Sequence, residues 1–150
     1  MRHQTFTLIE LLSVIVIIAV LAGILLGGLN YATRRADEAK TIAIMEEFAT
    51  ALETFRQDHG YYPVVSTAGN VDFSDSAWDL FVNAGAPSNP NRKGKPYLEG
   101  DVSGTLDDAF GNSFQYQCPG THNEQKYDLW SLGPDGVNDT DDDISNWKKR

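Results

Sequence analysis

The longest pattern in this 150-residue sequence is a run of helical spacing near the N-terminus. No residue from Leu11 to Leu29 is charged, and as a helix this segment would span roughly 28 Å, close to the thickness of a bilayer core. From Tyr31 to His59 apolar residues recur at three- and four-residue steps, and Gly60 ends the pattern. The sequence therefore predicts one helix of about fifty residues, apolar on all sides in its first half and amphipathic in its second. The apolar positions of the second half are Met45, Phe48, Leu52 and Phe55.

The C-terminal half of the chain shows the alternation of apolar and polar residues that is typical of strands. Phe114–Cys118 and Tyr127–Leu132 are predicted to pair as an antiparallel hairpin around a turn at Pro119-Gly120. Ala77–Val82 is predicted to form a short helix packed on the long one, and the remainder of Tyr61–Pro96 is predicted to be loop. The predicted fold class is α+β, with a long N-terminal helix packed on a small antiparallel sheet. The turn-forming residues of the loop are Thr67-Ala68-Gly69-Asn70 and Ser88-Asn89-Pro90-Asn91.

The apolar segment Leu11–Leu29 has two interpretations from its residues alone. It is long enough for a membrane anchor, whereas the apolar region of a secretory signal peptide has only about 7–15 residues before a small-residue cleavage site. Ala19 and Ala22 are weak candidates for such a site, so the length favours an anchor. Flanking charge leaves the orientation open, because Arg2 precedes the segment and Arg34-Arg35 follows it.

One acidic residue, Glu10, lies directly before this apolar segment, within the run Phe6-Thr7-Leu8-Ile9-Glu10-Leu11-Leu12. A carboxylate beside a membrane-length apolar segment is costly unless it is paired. Glu10 is therefore predicted to be a functional residue that needs a cation.

The run Phe6–Leu12 resembles the N-terminal signature of type IV pilins and of the pseudopilins of type II secretion. The resemblance implies that a prepilin peptidase removes residues 1–5 as a leader, cuts between Thr5 and Phe6, and methylates the new amine of Phe6. Glu10 would then meet the N-terminal amine of a neighbouring subunit. The family strongly prefers Gly before the cut, so Thr5 departs from its pattern, and this β-branched residue is expected to slow the peptidase.

The same resemblance implies an organisation for the whole chain. Residues 6–30 would form the transmembrane and assembly half of the helix, and residues 31–150 a globular head that contains the second half. The subunit would cross the inner membrane once, with its head in the periplasm, and would polymerise there. Glycines in the apolar half mark either a point where the helix unwinds on assembly or ordinary membrane-helix positions. These glycines are Gly23, Gly27 and Gly28.

Five aspartates lie within the nine residues from Asp135 to Asp143. Like charges this close repel, so a folded loop here needs a cation or remains mobile. Oxygen donors with no His or Cys nearby favour calcium over zinc. The loop is not an EF-hand, because when it is aligned on Asp139 the sixth position lacks Gly and the twelfth is Arg150. The alternative is a solvated acidic tail, although the preceding strand and the apolar closing segment Ile144–Trp147 argue against it.

The segments Asp108–Tyr116, Ser131–Gly136 and Asp142–Trp147 look like the C-terminal half of the major pseudopilins of type II secretion. In that family the loop binds Ca²⁺, and the resemblance implies side-chain ligands and backbone carbonyl ligands in this chain. Asp139 and Asp141 have no counterpart among them. The implied partners are other copies of the chain, minor pseudopilins, an inner-membrane assembly platform and the prepilin peptidase. The implied side-chain ligands are Asp135, Asp142 and Asp143, and the implied carbonyl ligands are Leu132, Val137 and Thr140.

The formal net charge of −9 argues against nucleic acid or an anionic membrane surface as a partner and is compatible with a hard cation. The sequence has no G-x-S-x-G, P-loop or C-x-x-C motif, so we predict that it is not an enzyme. The tryptophans are predicted to lie in the core, and Cys118 to act as a small apolar residue. The tryptophans are Trp78, Trp130 and Trp147.

Three functional classes remain. The first is a structural subunit of a type II secretion pseudopilus, which would drive export of folded proteins across the outer membrane. The second is a subunit of another pilus-like filament, such as a surface or DNA-uptake pilus. The third is a membrane-tethered calcium-binding module without a filament. The Glu10 signature disfavours the third class, and the aspartate loop disfavours the second, as does the lack of paired C-terminal cysteines.

Overall fold

The computed structural model of the chain describes residues 7–82, 97–98 and 103–148, and for residues 25–30 it describes the helical backbone without the side chains. The chain divides into two compact units, Met1–Ala36 and Asp37–Arg150. The predicted cleavage site at Thr5 and Phe6 and the predicted turn at residues 88–91 lie outside the described residues.

The long helix α1 spans Leu8–His59 and confirms the prediction of one helix of about fifty residues. It ends where the sequence predicts, because Gly60 adopts a φ of 84°, a left-handed conformation that costs glycine little. The Gly60 N–H donates to the Arg56 carbonyl at 2.7 Å and closes the last turn. Arg56 lies in that turn, where its positive charge compensates the negative end of the helix dipole.

In the N-terminal unit, the large apolar side chains of α1 from Leu8 to Ile24 are all exposed, with exposed fractions between 47% and 82%. Among the described residues, no helix combines the length and the apolarity needed to cross a membrane. The predicted span Leu11–Leu29 includes residues 25–30, whose side chains lie outside the described set.

In the C-terminal unit, the amphipathic part of α1 packs into an aromatic core. Phe48 is fully buried, and its ring lies 5.6–6.1 Å from the rings of Phe73, Trp78 and Phe81. The predicted short helix is confirmed as a 3₁₀ turn, Ser76–Trp78, followed by helix α2, Asp79–Val82. All four predicted apolar positions of α1 are buried, namely Met45, Phe48, Leu52 and Phe55.

The sheet has four antiparallel strands in the order β1-β2-β3-β4. The predicted hairpin is confirmed, with β2 paired to β3 so that Tyr116 lies opposite Leu129. Both of these side chains are fully buried in the core. The fold class is therefore α+β, as predicted. The strands are β1 Val65–Asn70, β2 Gln115–Cys118, β3 Asp128–Ser131 and β4 Ile144–Ser145.

Two strands were not predicted from the sequence. Residues 67–70 were predicted to form a turn but belong to β1, which pairs from Val65 opposite Cys118 to Asn70 opposite Gln115. Most of β1 is exposed and carries no apolar alternation, so its conformation comes from pairing with β2. The two-residue strand β4 is too short to leave a periodic signal.

The prediction that the tryptophans are buried is confirmed for Trp78 and Trp130 and is wrong for Trp147. Trp130 is buried, but successive strand residues face opposite sides of a sheet, so it lies on the other face from Leu129. Trp147 is only half-buried, and its ring stacks on that of His122 with centroids 4.2 Å apart. The two tryptophans contact each other at 5.6 Å and cover that second face.

We expect Phe48→Ala to reduce the free energy of unfolding by about 3–5 kcal/mol, because it leaves a cavity among three aromatic rings. Val64→Ala is the matched control, since Val64 is 58% exposed and should change stability by less than about 0.5 kcal/mol. Urea denaturation of the full chain in detergent micelles measures both values. Equal effects of the two substitutions would contradict the packing role of Phe48.

Candidate functional site

The carboxylate of Glu10 caps the first turn of α1. Its Oε2 accepts hydrogen bonds from the Thr7 backbone N–H at 2.9 Å and from the Thr7 hydroxyl at 2.8 Å. The Glu10 N–H in turn lies 3.4 Å from Thr7 Oγ1. This is a capping box, which satisfies backbone donors that a helix leaves unpaired at its start. Thr7 was missed as a partner of Glu10, although the spacing Thr-x-x-Glu was visible in the sequence.

The aspartate loop, residues 132–143, connects β3 to β4, and two glycines allow it to fold tightly. Gly133 has a φ of 65°, and a Cβ at this position would lie 2.5 Å from the Asp142 carbonyl oxygen. Gly136 has a φ of 66°, and a Cβ there would lie 3.1 Å from Asn112 Oδ1. A larger residue at Gly133 would push the two ends of the loop apart.

The loop rests on a polar platform formed by Asp108 and Ser131, which are buried, and by Asn112, which is half-buried. The Ser131 hydroxyl donates to Asp108 Oδ2 at 2.6 Å and accepts from the Gly133 N–H at 3.1 Å. Asp108 Oδ1 accepts from the Asn112 N–H at 2.8 Å, and the Asn112 side-chain amide donates to the Gly133 carbonyl at 2.8 Å. These hydrogen bonds hold the start of the loop, and none of them uses one of the five aspartates between residues 135 and 143. These three supports were not predicted from the sequence.

The oxygen atoms of the loop gather around Thr140. Its hydroxyl lies 2.6 Å from Asp142 Oδ1, 3.2 Å from the Val137 carbonyl and 3.4 Å from Asp143 Oδ1. A hydroxyl has a single hydrogen, so it cannot donate fully to three oxygens. The Thr140 hydroxyl lowers the pKa of the Asp142 carboxyl group. The structure thus brings four of the predicted ligand residues, Val137, Thr140, Asp142 and Asp143, into one cluster.

Asp135 joins this cluster through its main chain rather than its carboxylate. Its N–H lies 3.3 Å from Asp142 Oδ2, while its Oδ1 accepts from the Val137 N–H at 2.8 Å. Accordingly, no three Asp, Glu, His or Cys side chains among the described residues form a group that could hold a metal ion. The arrangement still provides carboxylate, carbonyl and hydroxyl oxygens, the donor types that calcium prefers. The six-residue ligand set, including the Leu132 carbonyl, stays a prediction.

The middle of the loop is held by an aromatic cluster on the second face of the sheet. The indole N–H of Trp130 donates to Asn138 Oδ1 at 2.7 Å.

A second buried carboxylate, Asp128, lies on the same strand as Trp130 and accepts from the backbone N–H groups of residues 121–123 at 2.7–2.9 Å. His122 Nδ1 lies 3.1 Å from the same carboxylate. Burial alone would raise the pKa of Asp128, but these hydrogen bonds outweigh it, and the pKa is lowered overall.

Comparison with known proteins shows two sequence families along the chain. Residues 29–147 match the family model described as type II secretion system (T2SS), protein G. Residues 2–26 match the prokaryotic N-terminal methylation motif. The chain belongs to the type II secretion system protein G family. Together the two matches cover the helix, the sheet and the aspartate loop.

Curated relatives and a solved structure agree with this assignment. Type II secretion system core protein G of Klebsiella pneumoniae is 33% identical over 147 residues, covering 97% of this chain and 95% of that protein. The core protein G of Pseudomonas aeruginosa is 35% identical over 153 residues, with 97% and 96% covered. The crystal structure of the major pseudopilin of enterohaemorrhagic Escherichia coli matches with a TM-score of 0.52 and 26% identity, covering 77% of this chain and 90% of that one.

The chain is therefore a subunit of a type II secretion pseudopilus, the first of the three functional classes. The prediction that it is not an enzyme is confirmed, since the family consists of structural, pilin-like subunits. The methylation motif implies a prepilin peptidase as the processing enzyme, and it fits a membrane-anchored pilus subunit.

We expect Asp128→Asn to destabilise the protein by about 1.5–3 kcal/mol at neutral pH, because its backbone donors lose a charged acceptor. The pKa of Asp128 is lower in the folded state than in the unfolded state, where it is about 3.9. Its contribution is therefore present above about pH 4 and is lost as the pH falls through the lowered value. Wild type and variant should converge there in pH-dependent urea denaturation. Glu124→Gln, which removes an exposed carboxylate nearby, is the control, and a difference independent of pH would contradict this account.

Proposed function

We propose that the mature protein is a single-pass inner-membrane subunit whose head lies in the periplasm. There it polymerises with its own copies into the pseudopilus that drives export of folded proteins across the outer membrane. The observation that carries this proposal is the exposure of every large apolar side chain between Leu8 and Ile24. A helix that is apolar all round is stable in water only when something covers it. Lipid would cover this surface before assembly, and the helices of neighbouring subunits would cover it afterwards.

Glu10 supplies the specific contact in this proposal. After cleavage between Thr5 and Phe6, the methylated amine of Phe6 in one subunit would pair with Glu10 of another. Both hydrogen bonds from Thr7 use Oε2 of Glu10. A carboxylate can accept several further hydrogen bonds, so the capping box and the amine can share this group. A charge pair in apolar surroundings favours docking in one register, because any other register leaves a charge unpaired.

The aspartate loop is proposed to bind Ca²⁺ through the carboxylates of Asp135, Asp142 and Asp143 and three backbone carbonyls. The carbonyls belong to Leu132, Val137 and Thr140. Bound calcium would supply positive charge that neutralises the carboxylates and cross-links the two ends of the loop. The platform at Ser131 fixes one end, and the Trp130–Asn138 hydrogen bond fixes the middle. For Asp135 to act as a ligand, its carboxylate would have to exchange the hydrogen bond from the Val137 N–H for the metal ion.

Further partners follow from the pseudopilus function. We propose contacts with minor pseudopilins and with the inner-membrane assembly platform. The alternatives, a surface or DNA-uptake pilus subunit and a tethered calcium module, receive no specific support from the described residues. No nucleic-acid partner is proposed, in keeping with the net charge of −9.

We expect the mature N-terminus to be Phe6. Intact-mass measurement of protein purified from cells with an active prepilin peptidase should show loss of residues 1–5 and one added methyl group. Thr5→Gly should increase the fraction processed, since glycine removes the branched side chain next to the cut. A native chain that keeps Met1 through Thr5 in such cells would contradict the proposal.

We expect Glu10→Ala to abolish filament assembly while membrane insertion is retained. Removing a charge eases insertion by a few kcal/mol at most, but it deletes the partner of the neighbouring amine. Ser13→Ala is the matched control, because Ser13 is exposed on the same part of α1 and its hydroxyl donates only to the Glu10 carbonyl. Membrane fractionation and electron microscopy of sheared filaments measure the two steps. Assembly of Glu10→Ala at the wild-type rate would show that Glu10 has no pairing role.

We expect calcium to stabilise the full chain. A ligand that binds only the folded state stabilises it by about 2.7 kcal/mol at a hundredfold excess over Kd. A weak extracellular site with a Kd of about 10⁻⁴–10⁻³ M would stabilise the folded state by less than this at millimolar calcium. Chelation should therefore lower the melting temperature and reduce filament formation. Asp142→Ala and Asp143→Ala should abolish the calcium response.

The matched controls for the calcium response are Asp139→Ala and Asp141→Ala. These substitutions remove the same charge from the same loop, but neither residue belongs to the proposed ligand set. They should leave most of the calcium-dependent shift in melting temperature intact. A melting curve that neither calcium nor chelator moves would favour a solvated acidic loop instead.

A further inference from the structure

A cleft at the C-terminal end of α1 collects half of the positive side chains described in the C-terminal unit. Arg56 and Lys126 line this cavity of about 280 Å³, together with Tyr61 and Val64, which are each about half exposed. We call it the cationic cleft, since it combines an apolar wall with two cations in an otherwise acidic unit. The lysines and arginines among the described residues of Asp37–Arg150 are Lys40, Arg56, Lys126 and Lys148.

Both cations of the cleft can bind a further carboxylate. Glu53 lies between them, 3.2 Å from Lys126 Nζ and 3.7 Å from Arg56 Nη1, but one carboxylate cannot neutralise two cations. The guanidinium of Arg56 lies over the Tyr62 ring, 5.2 Å from its centroid, and Nη1 donates to the Tyr62 hydroxyl at 3.2 Å. Among the described residues, no hydrogen bond uses the remaining donors of either cation, and both side chains are about half exposed.

The tip of the aspartate loop has the complementary chemistry. Val137 is an apolar side chain that is more than half exposed, and Asp139 and Asp141 are exposed beside it. In the described part of the chain, no hydrogen bond uses the carboxylate of either aspartate. Neither belongs to the proposed ligand set, so the calcium proposal leaves both without a role. The tip thus presents one apolar group and two carboxylates that match the wall and the cations of the cleft.

The cleft and the loop lie at opposite ends of the C-terminal unit. Lys126 precedes strand β3, whereas the loop begins directly after the last residue of β3, Ser131. Along α1, Thr41 accepts a hydrogen bond from the Ala109 N–H at 3.1 Å, beside the platform of the loop. Arg56 lies about 22 Å further along the helix axis. The loop therefore does not reach the cleft of its own chain, and a contact between the two must join different copies head to tail. Contacts of this heterologous kind build open helical filaments.

We infer that the cationic cleft of one subunit receives the tip of the aspartate loop of a second copy. Val137 packs on Tyr61 and Val64, and Asp139 and Asp141 pair with the two cations. The inference rests on the proposed polymerisation of the chain with its own copies. It does not depend on calcium, because the pairing aspartates lie outside the proposed ligand set. Charge complementarity favours this register over others, since the cleft offers positive charge to an otherwise acidic surface.

Cysteine cross-linking in filaments of the full chain tests the contact. In a Cys118→Ala background, Val64→Cys combined with Val137→Cys should give a ladder of multimers after treatment of sheared filaments with a short bismaleimide. Each single cysteine variant should give no ladder, because a heterologous contact never brings the same position of two copies together. Intact filaments of the double variant without a ladder would overturn the inference and leave polymerisation standing. A wild-type chain that forms no filaments would overturn the proposed polymerisation, and the inference with it.

Charge variants test the pairing independently. Asp139→Asn combined with Asp141→Asn should lower the yield of sheared filaments about two- to tenfold, the range expected for two exposed charge contacts. Asparagine tolerates the φ of 69° at Asp139, so the melting temperature should not fall. Lys126→Gln should lower the yield about two- to fivefold.

Lys40→Gln is the matched control, because it removes an exposed lysine of α1 outside the cleft and should keep the wild-type yield. Glu124→Gln removes the carboxylate that lines the cleft and should raise the yield, since this group repels an acidic partner. A wild-type yield from both the double aspartate variant and Lys126→Gln would overturn the charge pairing.

Discussion

The packing of one face of α1 against aromatic side chains is the interaction on which the C-terminal unit depends. Phe48 lies among three aromatic rings. Leu52, about one helical turn further along the same face of α1, is also fully buried. The opposite wall of this core is formed by Tyr116 and Leu129, which face each other across β2 and β3. Because β3 leads directly into the aspartate loop, the position of the loop follows from the packing of the helix. Hydrophobic burial is non-directional, however, and it cannot by itself fix where each loop oxygen lies.

Directional hydrogen bonds provide that precision at three separate points. Ser131 and Asn112 fix Gly133 at the start of the loop, and Trp130 fixes Asn138 in its middle. The third point is the closing segment, where Asn146 and the stacked Trp147 bind the loop back to the sheet. Buried polar groups that are all satisfied make a rigid support, whereas a half-satisfied set would be costly. The loop is therefore held at its start, middle and end by contacts with the sheet, and the carboxylates of Asp135, Asp142 and Asp143 add hydrogen bonds within it.

Prediction from the sequence succeeded for those elements in which the spacing of apolar residues reflects burial. The three- and four-residue spacing of Met45 to Phe55 indicated α1, and the alternation around Tyr116 and Leu129 indicated the hairpin. It failed where structure comes from tertiary pairing. Strand β1 carries turn-forming residues and no apolar alternation, and only its hydrogen bonds to β2 make it a strand. The site supports were missed for the same reason, because Asn112 lies far from the loop in the sequence and reaches Gly133 only through the fold.

The distribution of charge has a consequence for assembly. At physiological ionic strength the Debye length is about 8 Å, so exposed charges on different subunits interact only when they are close. The formal charge of −9 is therefore a weaker obstacle to polymerisation than its size indicates, provided that the densest cluster is neutralised locally. The aspartate loop is that cluster, with five carboxylates in nine residues. The cation that we propose for the loop would act at distances of about 2–3 Å, where screening by salt is ineffective, and would compensate this charge inside each subunit before neighbouring heads approach.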